Sequence, residues 1–197
     1  GWASGRGLQV GGVDFGAFRT AGAASAHAAR IDSFRAELGD TLVQFAAGAS
    51  FGDSLHMVDV GRFDITLEGT RWSMAERSTF SLGPHHFSLP GLSIVSDQGE
   101  LIARGRYDRG EDLTGRLRLR GFDLGLLDPF VENEHPLRGR VTADVVLSGR
   151  SDEPVMEMTG RLVDAPFPLA RVDSLTLGAT YSGGTFEFED LDLWTAM

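Results

Sequence analysis

Three groups of residues in this chain are of types that do chemistry elsewhere. His85 and His86 are its one adjacent histidine pair, acids cluster at Asp108, Glu111 and Asp112 and again at Glu187, Glu189, Asp190 and Asp192, and Arg116, Arg118 and Arg120 form a basic stripe. Neighbouring histidines on a strand point to opposite faces, so they do not share one metal ion. After Gly83-Pro84 they read as a turn or edge position, and His27, His56 and His135 stand alone in sequence. The first acid cluster lies in a turn and lacks the ligand spacing of a calcium loop. The second alternates and reads as the wet face of a strand, where charge also keeps an edge soluble. Paired carboxylates equip a glycosidase, but no spacing here brings two of them to one cleft. Phosphate loops, dinucleotide fingerprints and nucleophile elbows are missing, and with no cysteine there is no thiolate zinc site, disulfide or cysteine nucleophile. The expectation is a protein that is not an enzyme and needs no cofactor or metal.

The arginine stripe has Arg104 and Arg106 just upstream of it. Its plain reading is cross-strand pairing with acids; the functional alternative is contact with lipid headgroups or an anionic glycolipid. All 18 basic residues are arginine, yet the formal net charge is −10. A surface of that sign does not suit nucleic acid, whose phosphates need a basic partner.

The elements that carry these residues are strands. Along 112 to 121, Leu113, Gly115, Leu117, Leu119 and Gly121 fall on one face and the three arginines on the other, the period of two that marks an apolar sheet face backed by a solvated one. The pattern recurs. Phe63, Ile65 and Leu67 alternate with Arg62, Asp64, Thr66 and Glu68; Leu101, Ala103, Gly105 and Tyr107 with Glu100, Arg104 and Arg106. Val141, Ala143, Val145 and Leu147 oppose Thr142, Asp144 and Ser148, and Met156, Met158 and Leu162 oppose Glu157, Thr159 and Arg161. Leu175, Leu177, Ala179 and Tyr181 oppose Ser174, Thr176 and Thr180, and Phe186 and Phe188 oppose Glu187 and Glu189.

Turn residues separate the runs at 97–99, 108–111, 149–154 and 182–184. The fold expected is all-β, a long antiparallel meander with one buried and one wet face. Asp128-Pro129 offers an N-cap and a first-turn proline, which predicts one short helical turn near 128–133. The alanine-rich stretch 21–29 has helical propensity, but Ala24, Ala26 and Ala28 alternate with Ser25 and His27, which favours a strand. Residues 30–38 and 41–51, around Gly39-Asp40, read as a hairpin. No apolar run approaches the roughly 18 residues of a membrane-spanning helix. The chain shows no signal peptide and ends directly after a strand-like pattern, so it reads as a segment of a longer protein.

The succession of motifs from 93 to 193 resembles the TamB/AsmA-like family of Gram-negative envelope proteins. It is carried by Gly99-Glu100-Leu101-Ile102-Ala103-Arg104-Gly105, by Leu113-Thr114-Gly115-Arg116-Leu117-Arg118-Leu119, and by Phe122-Asp123-Leu124-Gly125-Leu126-Leu127-Asp128-Pro129-Phe130. Leu137 to Gly149, closing on Leu147-Ser148-Gly149, and Pro154 to Leu162 complete the order; residues 1–75 share its texture more weakly. The resemblance implies one segment, 1–197, of a sheet rolled lengthwise into an open groove (a β-taco) that conducts phospholipid by its acyl chains. It also implies a periplasmic location, a parent anchored in the inner membrane, and an outer-membrane partner of the BamA type bound through other parts of that parent.

The expected groove lining is Phe63, Ile65, Leu67, Leu101, Ala103, Leu113, Leu117, Leu119, Val141, Val145, Leu147, Met156, Met158, Leu162, Leu175, Leu177, Phe186 and Phe188. Such a surface suits acyl chains because an unpaired polar group there would cost roughly 1–3 kcal/mol. Small residues at Ala103, Gly105, Gly115, Ala143 and Gly160 would let strands curl and leave room, and Met156 and Met158 add adaptable surface. Alternation alone is equally compatible with a structural or assembly scaffold whose apolar face closes on itself as a sandwich or barrel. A third reading, a glycan-binding domain, would rest on Trp2, Trp72 and Trp194.

Overall fold

The computed structural model describes residues 1–10, 13–38, 41–67, 69–125, 138–167 and 170–195. They form fourteen strands: β1 (Trp2–Val10), β2 (Val13–Ala24), β3 (Ala28–Leu38), β4 (Thr41–Phe51), β5 (His56–Leu67), β6 (Thr70–Met74), β7 (Ser78–Gly83), β8 (His86–Val95), β9 (Glu100–Asp108), β10 (Thr114–Asp123), β11 (Arg140–Arg150), β12 (Glu153–Phe167), β13 (Ala170–Ser182) and β14 (Thr185–Thr195). The chain divides into two compact units, Gly1–Asp97 with β1 to β8 and Gln98–Met197 with β9 to β14. Each is an antiparallel meander, and sequence neighbours within a unit pair except β6 and β7. The expected all-β fold is therefore observed; the helical turn expected at 128–133 lies outside the described residues.

In the first unit β1 to β5 pair in order. The C-terminal part of β5 then pairs β6 and its N-terminal part pairs β7, and both of these pair β8. β6 and β7 thus occupy one lane, interrupted at Ala75-Glu76-Arg77. The break is tied down at both ends: Ala75 N–H donates to Ser93 O at 2.8 Å, and Arg77 Nε lies 3.2 Å from Asp59 Oδ1. The alanine-rich stretch is extended as expected, except that β2 and β3 turn at 25–27, where Ala28 N–H donates to Ser25 Oγ at 3.1 Å. The hairpin of 30–38 with 41–51 is the β3–β4 pair. Pro84 and His85 make the β7–β8 turn, and His86 opens β8 opposite Gly83 with Nε2 2.9 Å from Ser81 Oγ.

Single-residue bulges keep the apolar residues on one side. Opposite Phe45 and Ala47, two apart on β4, stand Phe34 and Ile31 on β3 and Phe63 and Val60 on β5, each pair three apart. An extra residue in the bulged strand absorbs the odd spacing and returns the next side chain to the same face. β10 repeats the device between Leu119 and Phe122, and β14 between Phe188 and Leu191. This corrects the reading of Gly121 as a member of the apolar face: Phe122 holds that position, opposite Val141. Gly121 has φ +54°, and a Cβ there would meet Gln98 O at 2.6 Å, so only glycine fits.

Candidate functional site

Residues opposite one another in an antiparallel sheet share a face, so the registers of the second unit resolve into rows. One runs Ala103, Leu117, Val145, Met158, Ala179 and Phe188 across β9 to β14. The next holds Leu101, Leu119, Ala143, Gly160, Leu177 and Leu191. Phe122, Val141, Leu162, Leu175 and Leu193 form a third, and Gly105, Gly115, Leu147, Met156, Tyr181 and Phe186 a fourth. The sequence-expected lining of this unit is thereby brought onto one face, with one exception. Leu113 lies just ahead of β10, its N–H donating to Gly149 O at 2.7 Å. Leu191, Leu193 and Phe122 belong to the face but were not expected there, because the bulges break the alternation that would have pointed to them.

Four rows spaced about 6.8 Å and six strands spaced about 4.8 Å span an apolar area on the order of 500 Å² between their outermost members. Most of its side chains are half-buried, and on β14 Phe186, Phe188, Leu191 and Leu193 are 52 to 66 % exposed. A sandwich core would bury them. Exposed apolar patches of a few hundred Å² are often functional. The small residues differ in what they leave open. Leu147 leans over Gly115, its Cβ 3.2 Å from where a Gly115 Cβ would stand, so that space is filled. At Gly160 an added Cβ would meet only ordinary contacts, Ala143 Cβ at 3.6 Å being the nearest.

The first unit carries the same kind of face, more deeply buried. Phe18, Ala36, Val43, Ile65 and Trp72 form one row from β2 to β6. Ala36, Val43, Ile65 and Trp72 are buried, Trp72 to 1 % exposure. Beside it Phe34, Phe45 and Phe63 form a second row, with the Phe34 and Phe45 rings stacked at 4.6 Å. Leu67 ends β5 opposite Thr70 in register. A cavity of about 400 Å³ lies among Val60, Phe63, Met74, Phe80, Leu89 and Ile94. The one hydroxyl on its wall, Ser78 Oγ, donates to Gly91 O at 2.6 Å and so offers the cavity no free donor.

The opposite faces are charged. In the second unit Arg116 donates to both oxygens of Asp144, at 3.0 and 2.7 Å, and Arg118 Nε to Asp144 Oδ2 at 3.2 Å. Arg120 lies 3.3 Å from Glu100, and Arg106 donates to Asp108 at 2.6 Å. The hydrogen bond from Arg116 is the main reason the Asp144 carboxyl sits below its ordinary range. The pairs of Arg116, Arg118 and Arg120 are the cross-strand pairs that the plain reading of the stripe expects, whereas Arg106 pairs within its own strand. In the first unit Asp64 departs from the expected solvated face. Its side chain is 7 % exposed and is held by Arg62 and by Arg71, whose Nη2 donates at 2.6 Å. Burial pushes the Asp64 carboxyl up, but hydrogen bonds from Arg62, Arg71 and Ser73 outweigh it and leave the group below its ordinary value.

Of the three tryptophans, Trp72 is buried, while Trp2 and Trp194 are exposed, one in each unit. Among the described residues no group of three or more histidines and acids converges as a metal site. Comparison with protein-family models, with curated proteins and with solved structures returns no match.

Proposed function

We propose that this chain is a lipid-conducting β-groove segment of a TamB/AsmA-like envelope protein, acting in the periplasm to move phospholipid between inner and outer membranes. The observation that carries the reading is the set of four apolar rows, three crossing β9 to β14 and one β10 to β14, half-buried up to the exposed β14 and nearly free of polar side chains. Acyl chains need such a surface because they offer no hydrogen bond in return for a desolvated polar group. The face has no residue to grip one headgroup, which fits a track along which lipids slide and needs no catalysis. The apolar cavity of the first unit offers the same chemistry at about 400 Å³, within the size range of small-ligand pockets. A parent protein with a membrane anchor and a BamA-type partner would supply the two ends of the path.

The test is lipid extraction and native mass spectrometry of the purified chain. Phospholipid should co-purify, and Leu117→Glu and Leu147→Arg should each lower the amount several-fold while circular dichroism keeps its β signature. A folded, lipid-free wild-type chain under mild conditions would sink the reading. A scaffold with a closed core is the second reading, favoured by the buried row from Ala36 to Trp72; it expects neither lipid nor an effect of the two substitutions on lipid content.

A further inference from the structure

Most arginines of this chain stand beside a carboxylate, as Arg30 does by Asp32, Arg77 by Asp59 and Arg150 by Asp152. The outward polar face of β1, β2 and β3 is built otherwise. Register sets Arg19 on β2 directly opposite Arg35 on β3. On β1, Ser4 faces Arg19 and Arg6 stands two residues further on, the diagonal neighbour. Directly opposed side chains have Cβ atoms about 5 Å apart and diagonal ones about 7–8 Å, and like charges so placed repel. Among the described residues Arg6 and Arg19 have no carboxylate in ion-pair range. Arg35 has Glu37, two residues along its own strand, at 3.8 Å, too far for a hydrogen bond.

These groups surround a common space. Ser4, Arg6, Arg19, Arg35 and Glu37 line a cavity of about 640 Å³. Three guanidiniums and one carboxylate leave a local charge of +2 in a chain whose net charge is −10. Strand alternation puts Arg19 and Arg35 on the side opposite Phe18 and Ala36, although Phe18 also contributes to the cavity wall. The cavity shares no residue with the rows of β9 to β14 or with the apolar cavity around Phe63 and Phe80, the surfaces assigned above to acyl chains.

We propose that this pocket binds a phosphate-type dianion. Guanidinium forks match the oxygens of phosphate two at a time. Arg19 and Arg35 would grip it from adjacent strands, Arg6 would add the third positive charge, and the Ser4 hydroxyl would donate to a further oxygen. A bound dianion turns the repulsion between facing arginines into shared attraction. The phosphate is either free in solution or the terminal phosphate of a lipid headgroup.

Isothermal titration of the purified chain with inorganic phosphate at low ionic strength tests the site, with sedimentation of phosphatidylcholine vesicles, with and without phosphatidic acid, as the second arm. Saturable phosphate binding is expected, weakened about tenfold or more in Arg19→Gln and in Arg6→Gln and unchanged in Arg150→Gln. Binding of phosphate together with phosphatidic-acid vesicles identifies a headgroup source, and phosphate without vesicles a soluble one. Failure to bind phosphate, or binding indifferent to Arg19→Gln, overturns the proposal. Stability supplies an independent reading. Without phosphate and at low salt, Arg19→Gln should melt no lower than the wild type, because it removes a repulsion; a clear drop would make Arg19 structural and also overturn it.

Discussion

The two units use one pattern to different depths. In the first, the apolar row through Ala36, Val43, Ile65 and Trp72 is buried, and even the wet side contains a carboxylate, Asp64, sealed under two arginines. In the second, the corresponding rows are half-buried, end on an exposed β14, and are backed by an ion-pair network around Asp144 that is about a third exposed. Alternation assigns a residue to a face; it does not say how much covers that face. The difference teaches that stability should be concentrated in the first unit and adaptable apolar surface in the second.

Trp72→Ala tests this most severely. Removing a fully buried indole should cost about 3–5 kcal/mol. Leu117→Ala, on a half-buried row, should cost about 1 kcal/mol, roughly half the value of a fully buried leucine. Urea unfolding read by hydrogen exchange in each unit would resolve the two, and equal losses would dissolve the comparison.

Next in size is Asp64→Asn, which leaves two guanidiniums facing a neutral amide and should cost about 1–3 kcal/mol. The sign of its pH dependence follows from a folded-state carboxyl held below its ordinary value. The stabilisation is present above the unfolded pKa, near 4, and is lost as pH falls through the folded one. The wild-type first unit should therefore weaken on acidification below about pH 4, and Asp64→Asn should flatten that limb of the stability curve. Asp144→Asn should cost less, about 0.2–1 kcal/mol, because its pairs are reached by solvent. It too should soften the acid limb, in the second unit.

The smallest effect on stability is expected for Phe188→Ser. The ring is 66 % exposed, and its loss should change stability by no more than about 0.5 kcal/mol. If the face holds lipid, the same substitution should nonetheless lower the amount that co-purifies. A large destabilisation would mean that β14 is covered after all.

Much of this architecture is legible in the residues. Leu101 with Ala103, Val141 with Val145, and Met156 with Met158 announce their strands and their faces, and the acids expected to pair the arginine stripe are found beside it. Three things escape. Phe122 and Leu191 are hidden because a bulge breaks the period of two, and periodicity registers a break as a loss of signal. Asp64 looks like any wet-face acid, since its burial depends on Arg62 and on Arg71 from the next strand. The facing of Arg19 and Arg35 depends on β2–β3 register, which the bulge at Asp32 and Ser33 shifts.

Those bulges carry a consequence for how the chain tolerates change in length. A strand face is a matter of parity, and at 31–34 and 60–63 a bulge absorbs one extra residue that would otherwise put the two ends of the strand out of phase. Deleting Gly61 would leave composition and hydropathy almost untouched. It would also keep Val58, Val60 and Phe63 on one face by plain alternation, because the residue lost is the extra one. Point substitutions on these strands are therefore graded insults, a deletion at a bulge keeps the faces, and a deletion in a regular run such as 63–66 inverts everything on one side of it.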